Sequence, residues 1–311
     1  MQKLILLPLS ILLLLLASCG EKKADNSWLT ADNVRIACDE TLQPILEEQF
    51  LQFGKSHIEA EMQPLYCSED SALRLLLADT LRSIVITRPL TKQEQERVKS
   101  HHLGTSQTMI ASDAFALIVS KNNPDTAITL NEVRDIVNGK ITRWEQIKGA
   151  KKTGDLKLVF DHSGSSTVRY MRDSLCAGRE LQGNIYAQGS NLAVIEAVKA
   201  NPSAIGVVGT DWLRGKDQNA LSSFASLDVS VMMVQKDAQH VHCRPYQYYI
   251  GTGDYPLVRS VYAITTDPRT RSQEKYLFFW LKGQKGQTIF CNNSQLLPAM
   301  SVQVKNVTIT N

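Results

Sequence analysis

Residues 161–171 read Asp-His-Ser-Gly-Ser-Ser-Thr-Val-Arg-Tyr-Met. Ser163, Ser165, Ser166 and Thr167 offer hydroxyl donors, Gly164 lets another group approach the backbone, and Arg169 carries a planar fork of N–H groups. The apolar run at residues 156–160 reads as a strand, and residues 166–175 carry helical periodicity. A strand-to-helix turn leaves several backbone N–H groups unpaired, and the helix macrodipole adds partial positive charge there. Hydroxyls, free amides and an arginine at one point suit a tetrahedral oxyanion. The same turn needs an N-cap in any case, a role that Ser165 or Ser166 fills.

Other chemistries require spacings that are absent. A phosphate-cradling G-x-x-x-x-G-K-[ST] loop needs a lysine that does not follow Gly164, and a G-x-S-x-G elbow needs a second glycine. A serine hydrolase also needs a histidine base. His162 is adjacent in sequence rather than placed to accept from a serine, and His101, His102, His240 and His242 lie in polar stretches. A phosphoester hydrolase using Ser165 or Ser166 stands as the enzymatic alternative. Beyond Cys19, the cysteines Cys38, Cys67, Cys176, Cys243 and Cys291 form no C-x-x-C pair and are odd in number. A zinc site is not expected from that spacing, nor any cofactor, and at least one thiol is unpaired.

The first residues are a targeting device. Lys3 precedes an apolar run at residues 4–16, and Leu16-Ala17-Ser18-Cys19 supplies a small-residue cleavage site. The run is short of the ~20 residues a spanning helix needs, and its ending is similar to the bacterial lipobox. Residues 1–18 are therefore expected to be removed and Cys19 lipidated, with residues 19–30 a polar tether. The remaining chain exceeds what one core usually spans, so two lobes are expected. The formal net charge is +3, with basic residues scattered, and no nucleic-acid groove is implied.

Strand and helix signals alternate throughout. Residues 33–38 alternate like a strand, residues 42–53 carry one helical face, and residues 71–81 are helical again before the short apolar strand at 83–87. Thr91 with Glu94, and Thr129 with Glu132, fit the capping box that opens a helix. Residues 114–119 and 204–208 read as buried strands, 192–200 and 273–281 as helices, 282–287 as a turn and 297–299 as a stop. The class is α/β with largely parallel sheets.

Several segments together resemble the phosphate-binding component of bacterial phosphate ABC importers, the PstS-type periplasmic binding proteins, in a lipoprotein form. They are Asp39-Glu40-Thr41; Ile86-Thr87-Arg88-Pro89-Leu90; residues 110–119 running to Trp144; residues 161–170; Ala204-Ile205-Gly206-Val207-Val208-Gly209; Tyr255-Pro256-Leu257-Val258-Arg259; and Gly286-Gln287 to Leu297-Pro298. The resemblance implies a type II binding-protein fold of two α/β lobes joined by two crossing strands. Lobe 1 would take residues 31–111 and 248–311, and lobe 2 residues 112–247, with crossings near 112–114 and 246–250. It implies inorganic phosphate held between the lobes and delivered to ABC permease subunits by a monomer lipid-anchored in the cell envelope, on the periplasmic or surface side. Another oxyanion such as sulfate or molybdate, or a sensor role, is the alternative within the fold.

By the same resemblance Thr41 matches the first-loop hydroxyl, Ser68 the second-loop serine, Ser163, Gly164 and Ser165 the Ser-Gly-Thr loop, and Arg88 the Ser-Arg element. Ser166, Thr167 and Arg169 join this set from helix geometry. Two departures stand out. The family's arginine just before the serine loop is missing, so Arg169 or Arg88 would have to supply the charge. Its acceptor aspartate upstream of the Ser-Arg element is also not evident, which leaves Asp39, Glu40, Glu69 and Asp161 as substitutes and the choice of anion open.

Overall fold

The computed structural model of the protein describes residues 33–213 and 224–302. The leader, Cys19 and the tether lie outside the described residues. β1 (Asn33–Asp39) passes through a tight turn into α1 (Gln43–Ser56), followed by β2 (Glu61–Cys67), α2 (Glu69–Leu77), β3 (Ser83–Ile86), α3 (Lys92–Ser100) and the long β4 (Ser106–Ser120). The next segment adds β5 (Ala127–Thr129), α4 (Leu130–Val137), β6 (Lys157–Phe160), α5 (Ser166–Leu175), β7 (Ile185–Ala187), α6 (Asn191–Ala200), β8 (Ala204–Gly209), β9 (Val229–Val231), β10 (Met233–Gln235) and α7 (Gln247–Thr252). β11 (Val258–Thr265) returns the chain to the first lobe, which α8 (Gln273–Lys282), α9 (Gln284–Asn293) and β12 (Leu297–Pro298) complete.

Local chemistry sets the helix starts. Thr91 and Thr129 each accept from the amide of the glutamate three residues on, and Glu94 and Glu132 accept from the capping residue's own amide, so both capping boxes form. Ser165 caps α5 at Ser166, where the sequence puts its start.

The strands run in the order β2-β1-β3-β11-β4-β8-β6-β7, with β12 and β9 also paired to β4. β4 joins the two halves. Its residues 106–114 pair with β11, and Phe115 to Val119 pair with β8. At ~3.4 Å per residue a strand of this length, 15 residues, reaches ~50 Å, far enough to belong to both lobes. β1 is parallel to β2 and β3, and β6 to β7 and β8. β4 and β11 run antiparallel to their neighbours, so the sheet is mixed rather than largely parallel. Strands that carry the chain out of a lobe and back must run in opposite senses, which propensity in single segments does not reveal.

Each half has apolar cores on both faces of its sheet. Ile36, Phe53, Ile110, Val261 and Phe290 pack together in the first lobe, and Phe115, Trp144, Leu158, Met171 and Val207 in the second. Ile250, Tyr255 and Leu257 pack with the second group. The Gln247 side chain, at the start of α7, donates to the carbonyls of Cys291, Ser294 and Leu296 in the first lobe, so this segment touches both lobes, and from Val258 the chain pairs with β4. Residues 247–252 form a short helix where the resemblance implies a crossing strand.

The expected turn at 282–287 is also corrected: only Gly283 interrupts two consecutive helices, α8 and α9. A Cβ at Gly283 would meet the Phe279 carbonyl oxygen at 2.7 Å, and one at Gly286 would meet that of Trp280 at 2.4 Å, so the helices turn this sharply only because both residues lack one. Residues 297–298 add a strand to β4 rather than merely ending the chain. Cys38, Cys67, Cys176, Cys243 and Cys291 are all free thiols. Among the described residues no helix is long and apolar enough to cross a membrane.

Candidate oxyanion site

β1 ends at Asp39, whose Oδ1 accepts from the Thr41 amide at 2.9 Å and from the Thr41 hydroxyl at 2.7 Å. This short loop fixes the hydroxyl and leaves its oxygen free to accept. On the other lobe the start of α5 holds Ser166 in its first turn, 3.5 Å from Thr41 between the two hydroxyl oxygens. Both oxygens accept from one guanidinium: Arg259 Nη1 donates to Ser166 and Nη2 to Thr41, each at 2.6 Å.

Arg259 sits on β11, directly opposite Asp113 of β4 in the strand register. Its Nε donates to Asp113 Oδ2 at 2.9 Å, its plane lies 4.1 Å from the Phe115 ring centre, and both partners of the ion pair are almost fully buried. Burial pushes the Asp113 carboxyl up from its ordinary value, and the Arg259 charge pulls it back. A cation held by a carboxylate and an aromatic face keeps its remaining N–H groups aimed at Thr41 and Ser166. Donors from the first lobe, the second lobe and a crossing strand thus converge at one buried point.

Two further contacts bridge the lobes around the start of α5. Arg169 donates from Nε to Glu69 Oε2 at 2.5 Å and from Nη2 to the Thr87 hydroxyl at 2.9 Å, while the Thr87 amide donates to Glu69 at 3.0 Å. His162 Nε2 contacts Glu40 Oε1. From the 161–169 stretch, His162, Ser166 and Arg169 reach the first lobe.

The expected site residues divide accordingly. Thr41, Ser166 and, through Glu69 and Thr87, Arg169 are brought to the interface between the lobes. Ser165 is buried as the N-cap, its oxygen accepting from the Val168 amide at 3.2 Å, and Thr167 is fully buried with its hydroxyl unpartnered. Gly164 lies in the turn, and Ser163 is exposed on it, away from the buried donors. Ser68 caps α2, accepting from the Ser71 amide at 3.2 Å. Arg88 is a correction: both its Nη groups lie 2.8 Å from Glu94 at the start of α3, and it does not join the cluster. Its neighbour Glu94 is the capping-box acid, so the arginine secures a helix start. Arg259 and Asp113 lie outside the set of site residues expected from the sequence. Their signal is an ionisable side chain inside an apolar alternating strand, Val258-Arg259-Ser260-Val261 and Ile110 to Val119.

One contact between lobes is set by a missing side chain. A Cβ on Gly209, at the end of β8, would sit 3.1 Å from the Thr41 carbonyl oxygen, which also accepts from Trp212 Nε1 at 3.0 Å. Gly209→Val is expected to leave the melting temperature of the anion-free protein near that of the parent, because the clash exists only with the lobes together. Anion affinity measured by calorimetry should fall about tenfold, within the range of overpacking costs. A variant that binds like the parent would show that the loop yields.

The family described as PBP superfamily domain matches residues 24–281. A phosphate-binding protein PstS from Borreliella burgdorferi is 28% identical over 234 residues, covering 71% of this chain and 77% of the relative. PstS from Bacillus subtilis is 22% identical over 290 residues, covering 92% and 85%. Among solved structures, an ABC-type phosphate transport receptor from Vibrio cholerae superposes with a TM-score of 0.64 at 19% identity, covering 86% of this chain and 100% of that one. The phosphate-bound PfluDING protein superposes with a TM-score of 0.68 at 14% identity, covering 86% and 90%. Those likenesses show the two-lobed fold. With more than half of its length matched by the family, the chain belongs to the PBP superfamily.

Proposed function

We propose that the protein is the solute-binding component of a phosphate ABC importer, capturing inorganic phosphate between its lobes and delivering it to permease subunits in the membrane. One observation carries the reading: the Thr41 and Ser166 hydroxyls and the Arg259 guanidinium meet at a buried point reached from both lobes. In this reading those three groups take the anion together with the free amides at the start of α5 and the Thr167 hydroxyl, and Arg259 replaces the arginine missing before the serine loop. Asp39 and Asp161 each keep a buried Oδ2 without a partner. Either can accept from protonated phosphate, a bond that fully ionised sulfate cannot offer. The relatives named for phosphate binding support the same ligand.

Ser165 caps a helix, Ser166 accepts from Arg259, and His162 contacts Glu40 rather than either serine, so His162 is not placed as the base of a serine hydrolase. Cys19 would tether the domain to the membrane on its periplasmic or surface side.

Calorimetric titration of the anion-stripped mature chain with phosphate, arsenate, sulfate and molybdate tests the reading. Phosphate and arsenate are expected to bind, with sulfate and molybdate at least about tenfold weaker, a gap of ~1.4 kcal/mol. Binding of none of the four, or of sulfate ahead of phosphate, overturns it.

A further inference from the structure

The cleft holds more negative charge than an anion site alone calls for. Asp39, Glu40, Glu69, Asp113 and Asp161 line the closure, against the guanidiniums of Arg169 and Arg259. Glu69 and Asp113 are neutralised by those arginines at 2.5 and 2.8 Å. The others are not. Asp39 and Asp161 are almost completely buried, come from opposite lobes, and each leaves Oδ2 without a hydrogen bond. A buried carboxylate oxygen without a hydrogen bond is costly unless a cation or a proton lies against it.

A cation has donors available there. One oxygen each of Glu40 and Asp161 and one imidazole nitrogen of His162 lie within 4.8 Å of one another. Glu40 is on the first lobe and the other two on the second. The Glu40 and His162 side chains are 25% and 27% exposed, which gives an ion a way in, whereas Asp161 is closed off from solvent. Around a tetrahedral ion with bonds of ~2.0 to 2.2 Å the donors stand roughly 3.3 Å apart, so the direct Glu40–His162 contact has to open to admit the ion.

We propose that Glu40, Asp161 and His162 form a binding site for a first-row divalent cation that bridges the lobes and promotes capture of the anion. Two carboxylates and an imidazole are the donor set of Zn2+, Mn2+ or Fe2+ rather than of Mg2+ or Ca2+. Three protein ligands leave a tetrahedral ion one open position, the arrangement that admits an exchangeable oxygen ligand. Thr41 follows Glu40 directly, and Ser165 and Ser166 follow His162 within one turn, so that ligand can be an oxygen of the bound anion. Cation and anion then bind cooperatively. The coupling rests on the phosphate reading, whereas the cation site itself does not.

The test uses Zn2+ alone as the first probe, titrated calorimetrically into the chelator-treated, anion-stripped mature chain. Parent protein is expected to bind one equivalent that Glu40→Gln and His162→Gln each weaken at least about tenfold, as loss of a ligand does. Because free thiols elsewhere take up zinc, the loss in the variants, rather than binding as such, is the readout. Both substitutions are at part-exposed positions, and thermal melts check that the variants fold. Phosphate is then titrated with chelator and with saturating Zn2+. A coupling of about 5-fold to 150-fold is expected in the parent, with Zn2+ affinity raised reciprocally by phosphate. Zinc binding that is absent, or equal in parent and variants, overturns the site. Phosphate binding that is tight in chelator and indifferent to Zn2+ overturns the coupling and leaves the phosphate reading intact. Zinc binding lost in both variants, with no phosphate bound under either condition, keeps the site and sinks the phosphate reading.

Discussion

Replacing Arg259 with methionine is expected to abolish phosphate capture at working concentrations, with affinity falling at least about a hundredfold, or ~2.7 kcal/mol. A charge-assisted bond to a buried anion contributes ~1.5 to 3 kcal/mol, and Arg259 presents two of its nitrogens where the anion would lie. The substitution has a second effect. Asp113 is 1% exposed and would be left without its cation, and breaking such a pair destabilises by ~3 to 5 kcal/mol. The two effects separate in the double variant Arg259→Met with Asp113→Leu, which should regain much of the stability seen in denaturant melts but none of the phosphate binding. Lysine at 259 keeps the charge and loses the planar fork, so an intermediate affinity is expected. If the double variant bound phosphate as tightly as the parent, Arg259 would be a strut between crossing strands and the donors would have to be sought elsewhere.

How far the sequence discloses this arrangement depends on how far apart the partners lie along the chain. Thr129 and Glu132, or Ser165 and the Val168 amide, are three residues apart and leave a local pattern that propensity reads directly. Arg259 meets Ser166 across 93 positions and Thr41 across 218, and no local pattern records such a meeting. What remains visible is the anomaly at each end: a charge inside a buried strand, at Asp113 and again at Arg259. The strand that carries Arg259 reads as apolar, so the residue looks like a segment match rather than a ligand. Arg88 misleads for the converse reason, since its partner Glu94 is only six residues away and satisfies it locally. α7 stands where the resemblance implies a crossing strand, and at 6 residues it is too short to leave a helical period in the sequence.

Arg169→Ala is expected to weaken phosphate binding at least about tenfold, ~1.4 kcal/mol, but through Glu69 rather than by contact with the anion. Arg169 Nε lies 2.5 Å from Glu69, whose side chain is 1% exposed, and the pair joins α5 of the second lobe to α2 of the first. Without the arginine, closing the lobes buries the Glu69 carboxylate with only the Thr87 donors, at 3.0 and 3.2 Å, to satisfy it. The open form avoids that cost, so the penalty falls on the closed state and hence on affinity, not on the stability of either lobe. Adding Glu69→Gln to Arg169→Ala removes the carboxylate that suffers. Affinity in the double variant should therefore recover most of the loss, with a coupling of roughly 1 to 2 kcal/mol between the positions, inside the usual range for contacting groups. Solution scattering should show the same order, with Arg169→Ala the least compact of the set at a fixed phosphate concentration and the double variant close to the parent. An arginine that touches the anion directly predicts the opposite: Glu69→Gln alone would free it and raise affinity, and the double variant would stay as weak as Arg169→Ala. A coupling near zero in the affinity cycle would therefore move Arg169 from the lobe interface into the site.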